Sequence, residues 1–228
     1  MCPKLTHSFV KMLLNYFYNV FIQTIKECEC RWILMTKYRL SFTAGSLLMN
    51  ETILVSKIYQ DCNNWAKTQI RAIEDNASNS RTGSATKRFV SEIITRLKSL
   101  NEREIELLIS SYDDMTRKQI IWIAICKTYS FIAEFMDEVV SNKISRLDFK
   151  LENSDYDRFY LSKLQWHEEL ENLSQTSKYK VKQVLFKMLK QMDFLSDNGE
   201  ILEVKLANEV VDLYQAGEID LKKWFPSF

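Results

Sequence analysis

Residues that reverse a chain are scarce in this sequence, with four glycines and two prolines in 228 positions. A sandwich or an α/β sheet of that length needs many more turn residues. The expected fold class is therefore mainly α, a multi-helix protein with one short β-hairpin. Histidine is scarcer still: only His7 and His167 occur, neither beside a cysteine pair. The cysteines, Cys2, Cys28, Cys30, Cys62 and Cys126, are odd in number and scattered. That fits reduced thiols in a cytoplasmic protein better than a disulfide framework. Cys28-Glu29-Cys30 is too tight for the usual zinc spacing, so no metal and no other cofactor is expected. An excess of one charge is also missing, since 31 Lys and Arg against 30 Asp and Glu leave a formal net charge of +1. Binding to a polyanion therefore has to come from local segregation of charge.

Apolar runs of membrane-spanning length are absent too. Phe9 to Ile25 is rich in Phe, Tyr, Leu and Ile, but Lys11, Asn15, Asn19 and Gln23 interrupt it every four residues. The pattern describes an amphipathic helix with a narrow polar stripe rather than a signal or an anchor. The duller alternative is that Met35 is the true start and residues 1–34 are an N-terminal extension of the chosen reading frame. Farther on, Ile120-Ile121-Trp122-Ile123-Ala124-Ile125-Cys126 is apolar on every side, which calls for burial all round. Lys127, Glu134, Asp137 and Glu138 exclude a membrane span there, because charges at mid-span cost ~3 kcal/mol apiece. No glycine-rich phosphate loop, Gly-x-Ser-x-Gly elbow, His-Glu-x-x-His or zinc-deaminase pattern is legible. Asp113-Asp114 and Glu168-Glu169 are neighbours, which point about 100° apart on a helix and so do not converge. His167 has no nucleophile or orienting group near it in sequence and reads as a surface or packed histidine. An enzyme, and a small-molecule substrate, are not expected.

What is present is a folded composition: 46% hydrophobic, 12% aromatic and 27% charged. One or two helices are expected from Thr43 to about Gln60, and another through Trp65, Ile70 and Ile73, ending near Asp75-Asn76. A turn-rich loop over residues 77–84 precedes a helix from Ala85 to Leu100. Asn101-Glu102-Arg103-Glu104 is a capping box, and Asp113 or Asp114 caps the longest helix, about Met115 to Asn142. Asn153-Ser154-Asp155 opens a support helix through Leu173, and a last helix from Val204 to Ala216 stops at Gly217. The tail with Leu221, Trp224, Phe225 and Phe228 is too apolar to float and is expected to dock on its own domain, a partner surface being the alternative. The organisation expected after residues 1–34 is a helical domain with a helix-turn-helix-like segment over 35–112, a long buried core helix over 113–150, and a winged-helix-like domain with an apolar tail over 151–228.

The stretch from Ser174 to Ile201 stands out. Val181, Val184, Leu185, Met188, Leu189 and Met192 recur at the spacing of one helical face, and Ser174 to Ser177 supplies the N-cap. Tyr179, Gln183, Phe186, Lys187 and Lys190 fall on the other side, with Lys178, Lys180 and Lys182 crowding the first turns and no acid among them. Solvated helices mix signs and favour acids at the N-terminus, where the macrodipole is positive. Lysines at that end suit phosphates, and Gln183 can approach a base edge, as in helix-turn-helix modules. Asn198-Gly199 suits a tight hairpin, which would form a wing. A second basic patch, Arg81, Lys87 and Arg88 with Thr82, Ser84 and Thr86 as further phosphate-capable donors, lies in a run without acids from Asn76 to Ser91. The competing readings are a plain amphipathic helix and a capped surface helix.

Several signatures then occur in order: Leu40-Ser41-Phe42-Thr43-Ala44-Gly45-Ser46-Leu47, Trp65, Asn76 leading through Arg81-Thr82 to Lys87-Arg88, and Glu92-Ile93 with Arg96-Leu97. Trp122 through Tyr129, Glu134-Phe135, Asp155-Tyr156, Phe159 and Thr176 through Leu189 follow. In these the chain, from Tyr38 onward, resembles the BrxA family, small components of bacterial BREX phage-exclusion systems. The resemblance implies an all-helical accessory protein with helix-turn-helix and winged-helix-like elements that binds double-stranded DNA and has no catalytic activity of its own. It also implies action with a methyltransferase, an ATPase and a phosphatase-like partner, in support of host DNA methylation and phage exclusion; a membrane partner is not expected because the apolar runs are interrupted. A scaffold or transcription-regulator-like adaptor whose basic helices meet acidic protein surfaces is the alternative. Since the capped, core-forming pattern begins only after Met35, a chain begun there is expected to fold and melt as the full chain does. Insolubility, or a melting point lower by many degrees in circular dichroism, would show that residues 1–34 pack on the fold.

Overall fold

The computed structural model describes residues 37–214 and 220–226, so the expected helix before Met35, the stop at Gly217 and Phe228 lie outside the described residues. A 3-10 turn at Ser41–Ala44 leads into α1 (Met49–Cys62) and α2 (Trp65–Glu74). These are followed by α3 (Gly83–Leu97), α4 (Glu102–Ser110) and α5 (Asp114–Thr128). α6 (Ser130–Phe135) runs through a π-helical turn (Met136–Ser141) into α7 (Asn142–Ser145). The remainder is α8 (Asn153–Leu164), α9 (Glu168–Glu171), α10 (Gln175–Gln191), α11 (Asn208–Tyr214) and a closing 3-10 turn, Leu221–Lys223.

Local chemistry accounts for most starts and stops. Asn64, Thr82, Asp113 and Ser174 each accept a hydrogen bond from the first turn of the helix they cap. Asn101 and Glu104 form the expected capping box, whereas the cap of α8 is Glu152, paired reciprocally with Asp155. Asn63, between α1 and α2, takes a left-handed conformation that asparagine tolerates.

Two expected helices are broken. The apolar run Ile120 to Cys126 is buried on every side as expected, but the helix ends at Thr128. Tyr129 is extended there, its ring held by Phe42 and its hydroxyl donating to Glu92. The support helix stops at Leu164, and His167 turns inward before α9. The hairpin wing reduces to two single antiparallel bridges, Lys150 with Glu200 and Leu195 with Ile201. Its turn needs positive φ only at Gly199, not at Asn198.

One hydrophobic cluster runs from Tyr38 to Phe225. Trp122, fully buried, donates from Nε1 to the carbonyl of Trp224 at 2.8 Å and meets the Phe194 ring edge-on, so α5 seats the tail on the chain's own core. Arg96 of α3 is also fully buried. Its Nη1 donates to the carbonyls of Ser46 at 2.8 Å and Leu47 at 3.3 Å, and its Nη2 to that of Gly45 at 3.0 Å and to Glu92 at 3.4 Å. Burial pulls its pKa down to about 10, against the pull of Glu92. Truncating one member of such a pair strands the other charge. Arg96→Ala is therefore expected to lower the free energy of unfolding by about 3–5 kcal/mol in a urea titration, and a loss below about 1 kcal/mol would show that the site rehydrates cheaply.

Candidate nucleic-acid interface

α10 buries Val181, Val184, Leu185, Met188 and Leu189, the face that their spacing predicts, and its first turn is closed by Ser174 Oγ accepting from Ser177 N at 3.2 Å. Its other side is less uniform than the sequence suggests. Lys182 is paired with Asp157 of α8 at 2.9 Å and lies 5.4 Å from the centre of the Tyr156 ring, so it is engaged by its own protein. Phe186 turns inward onto Tyr156 and the core, correcting its expected outward placement. Lys190 pairs with Asp197 at 2.9 Å. Lys180, Gln183, Lys187 and Tyr179 are exposed, Tyr179 at 68%, and Lys178 is half-buried. Lys180 Nζ donates to Gln183 Oε1 at 3.2 Å.

The second patch sits at the start of α3. Arg81, Thr82, Lys87 and Arg88 are exposed, and Thr82 Oγ1 accepts from Ala85 N at 3.3 Å as the N-cap. Thr86, by contrast, is buried, donating to Asn76 Oδ1 at 2.9 Å and shaping the turn before α3. α1, α2 and α3 pack on one another, with that turn joining the last two. Among the described residues, no carboxylate lies within ion-pair distance of Arg81, Lys87, Arg88, Lys178, Lys180 or Lys187.

The fold brings part of the two patches together. Arg88 of α3 and Lys180, Gln183 and Lys187 of α10 line one open groove of about 380 Å³ whose remaining wall is the loop from Thr43 to Leu48. Arg81, Thr82, Lys87, Lys178, Tyr179 and Lys182 lie outside it. The loop carbonyls are held by Arg96 from below, and Leu47 N donates to Gln191 Oε1 at the end of α10 at 3.1 Å. Gly45 permits the close approach: a Cβ there would meet Leu48 Cδ1 at 2.6 Å and Phe89 Cδ1 at 3.2 Å. No periodicity or charge pattern points to a role for this loop, although one of only four glycines marks it.

Asp113, Asp114, His167 and Glu169, considered for acid–base chemistry, have structural partners. Asp113 accepts from Thr116 N and Oγ1 at 2.8 Å, and those hydrogen bonds hold its carboxyl below the usual range. His167 is buried, stacked on Tyr38 at 3.7 Å, with Nδ1 3.1 Å from Glu169. No group of three or more His, Cys, Asp or Glu among the described residues is placed to hold a metal ion, and no described helix is long and apolar enough to cross a membrane.

Comparison with known proteins bears on this arrangement. A family model described as BrxA matches residues 36–217. A Bacillus cereus (strain H3081.97) protein named "BREX protein BrxA" is 30% identical over 149 residues, covering 64% of this chain and 74% of that protein. A crystal structure of an uncharacterized protein from Magnetospirillum magneticum superposes with a TM-score of 0.66, over 79% of this chain and 93% of that one. At 16% identity, that likeness shows the shared fold alone.

Proposed function

The chain belongs to the BrxA family, and from that premise we propose that it is a non-catalytic, double-stranded DNA-binding component of a BREX-type phage-defence system. It would support host DNA methylation and phage exclusion by a larger assembly, beside methyltransferase, ATPase and phosphatase-like components. The observation that carries the DNA reading is the set of exposed cations on α3 and α10 with no carboxylate partner among the described residues, in a chain whose formal net charge is only +1. Arg96 of α3 and Lys182 and Lys190 of α10, by contrast, are paired with carboxylates within the fold. Cations left unpaired against that background suit phosphates. The helix-turn-helix-like α2–turn–α3 and the α10–turn segment, in the place of a winged helix, are the elements that would present them.

With no legible phosphate loop, metal set or nucleophile–base pair, the purified chain is expected neither to hydrolyse nucleotides nor to cut or methylate DNA. Activity that is lost with His167→Ala or Asp114→Ala would overturn the non-catalytic assignment.

Binding is tested with unrelated duplexes at several salt concentrations. Log affinity should fall linearly with log salt, by about 0.9 per phosphate neutralised. Replacing Lys178, Lys180 and Lys187 together by Ala, or Arg81, Lys87 and Arg88 together, should weaken binding alike for all sequences and flatten the slope by about one unit per lost contact. Lys182→Ala should change the slope little, because its charge already faces Asp157. If both triple variants stay folded and bind with unchanged affinity and slope, the cations serve a protein partner instead, and the scaffold reading replaces this one.

A further inference from the structure

The two basic patches are far apart in sequence, but the groove lined by Arg88, Lys180, Gln183 and Lys187 brings part of each together. Among the described residues no acidic one lines it, whereas the larger groove beside α7 is lined by Glu138, Asp148 and Asp155 as well as by cations. Its volume, about 380 Å³, is that of a site for one or two small units, and a whole duplex cannot enter it. The sugar–phosphate edge of one strand can. Lys180 and Lys187 lie two turns apart on α10, roughly 10 Å along the axis, so they reach different phosphates of one strand rather than sharing one. Arg88 is held at the rim, with Nη2 3.5 Å from the Ala44 carbonyl and its guanidinium 5.7 Å from the centre of the Phe89 ring. The groove floor is braced by Arg96 and Gln191, so the spacing between α3 and α10 is set before any ligand arrives. Tyr179, one residue before Lys180, offers an exposed ring on which an unpaired base can stack.

Resting on the DNA-binding reading above, we propose that this groove is a track for a single sugar–phosphate strand. Single-stranded DNA is then a ligand of the same site as duplex DNA, and Arg88 acts jointly with the α10 lysines. A strand held between two walls is immobilised by both. Losing either wall frees the strand, and the contact on the other wall is worth less.

The experiment uses the full chain, a labelled duplex, an unlabelled single strand of the same length, and the Arg88→Ala and Lys187→Ala variants singly and combined. The single strand should displace the duplex, and Arg88→Ala should weaken both ligands. The double variant should lose less affinity than the product of the single losses, by about threefold or more. Lys87→Ala, outside the groove, combined with Lys187→Ala should lose the simple product. All three side chains are exposed except for the rim contacts of Arg88, and circular dichroism checks that each variant is folded. Duplex binding that the single strand cannot displace, or losses that simply multiply for Arg88 and Lys187, would overturn the strand track while leaving duplex binding in place. A wild-type chain that binds no duplex at any salt concentration would overturn both readings.

Discussion

A guanidinium taken entirely out of water holds the candidate interface in shape. Arg96 replaces its lost hydration with the carbonyls of Gly45, Ser46 and Leu47, the carboxylate of Glu92 and the face of Tyr129. Each of those groups would itself be costly to bury unpaired, so the exchange is mutual. Lysine could not make it, since a single ammonium lacks the planar fork that reaches three consecutive carbonyls. The loop it pins lies between α3 and α10, and those two helices carry the unpaired cations. The position of the basic groove therefore depends on an arginine that never reaches the surface.

The rest of the architecture supports the same helices from behind. α5 is buried on all sides from Ile120 to Cys126 and receives the tail through Trp122 and the carbonyl of Trp224, while Phe194, just past α10, packs between Trp122 and Phe225. Lys118 of α5 pairs with Asp193 at 2.8 Å, where the chain takes positive φ to leave α10. At the other end, Lys182 and Phe186 lean on Tyr156 of α8. α10 is thus fixed at its start, along its buried face and at its exit. Ordering costs are met on folding rather than on binding.

Buried charge is concentrated at the joints between elements. Tyr38 donates from its backbone to Glu169 and from its hydroxyl to Glu134, and Lys163 bridges Glu134 at 2.7 Å and Glu138 at 2.6 Å. Lys127 and Tyr214 share Glu104, the same residue that closes the capping box of α4. These pairs use up cations that composition alone counts as available. Arg88, Lys180 and Lys187 stay out of such pairs among the described residues, and they line the groove between α3 and α10.

The sequence by itself determined the helical class, through its shortage of Gly and Pro, and the caps at Asn101, Asp113 and Ser174. It also determined the buried face of α10 and the all-round burial of Ile120 to Cys126. These are properties of neighbours three or four residues apart, which periodicity reads directly. Only the tertiary structure decided that Lys182 is engaged by Asp157, that Phe186 points inward, and that the long core helix breaks at Tyr129 to meet Glu92 and Arg96. It alone placed Arg88 beside Lys187 across the Gly45 loop. Those contacts join residues 25 to about 100 positions apart. Which partner a charge or ring finds at that separation is settled by how the core packs, and local spacing holds no record of it.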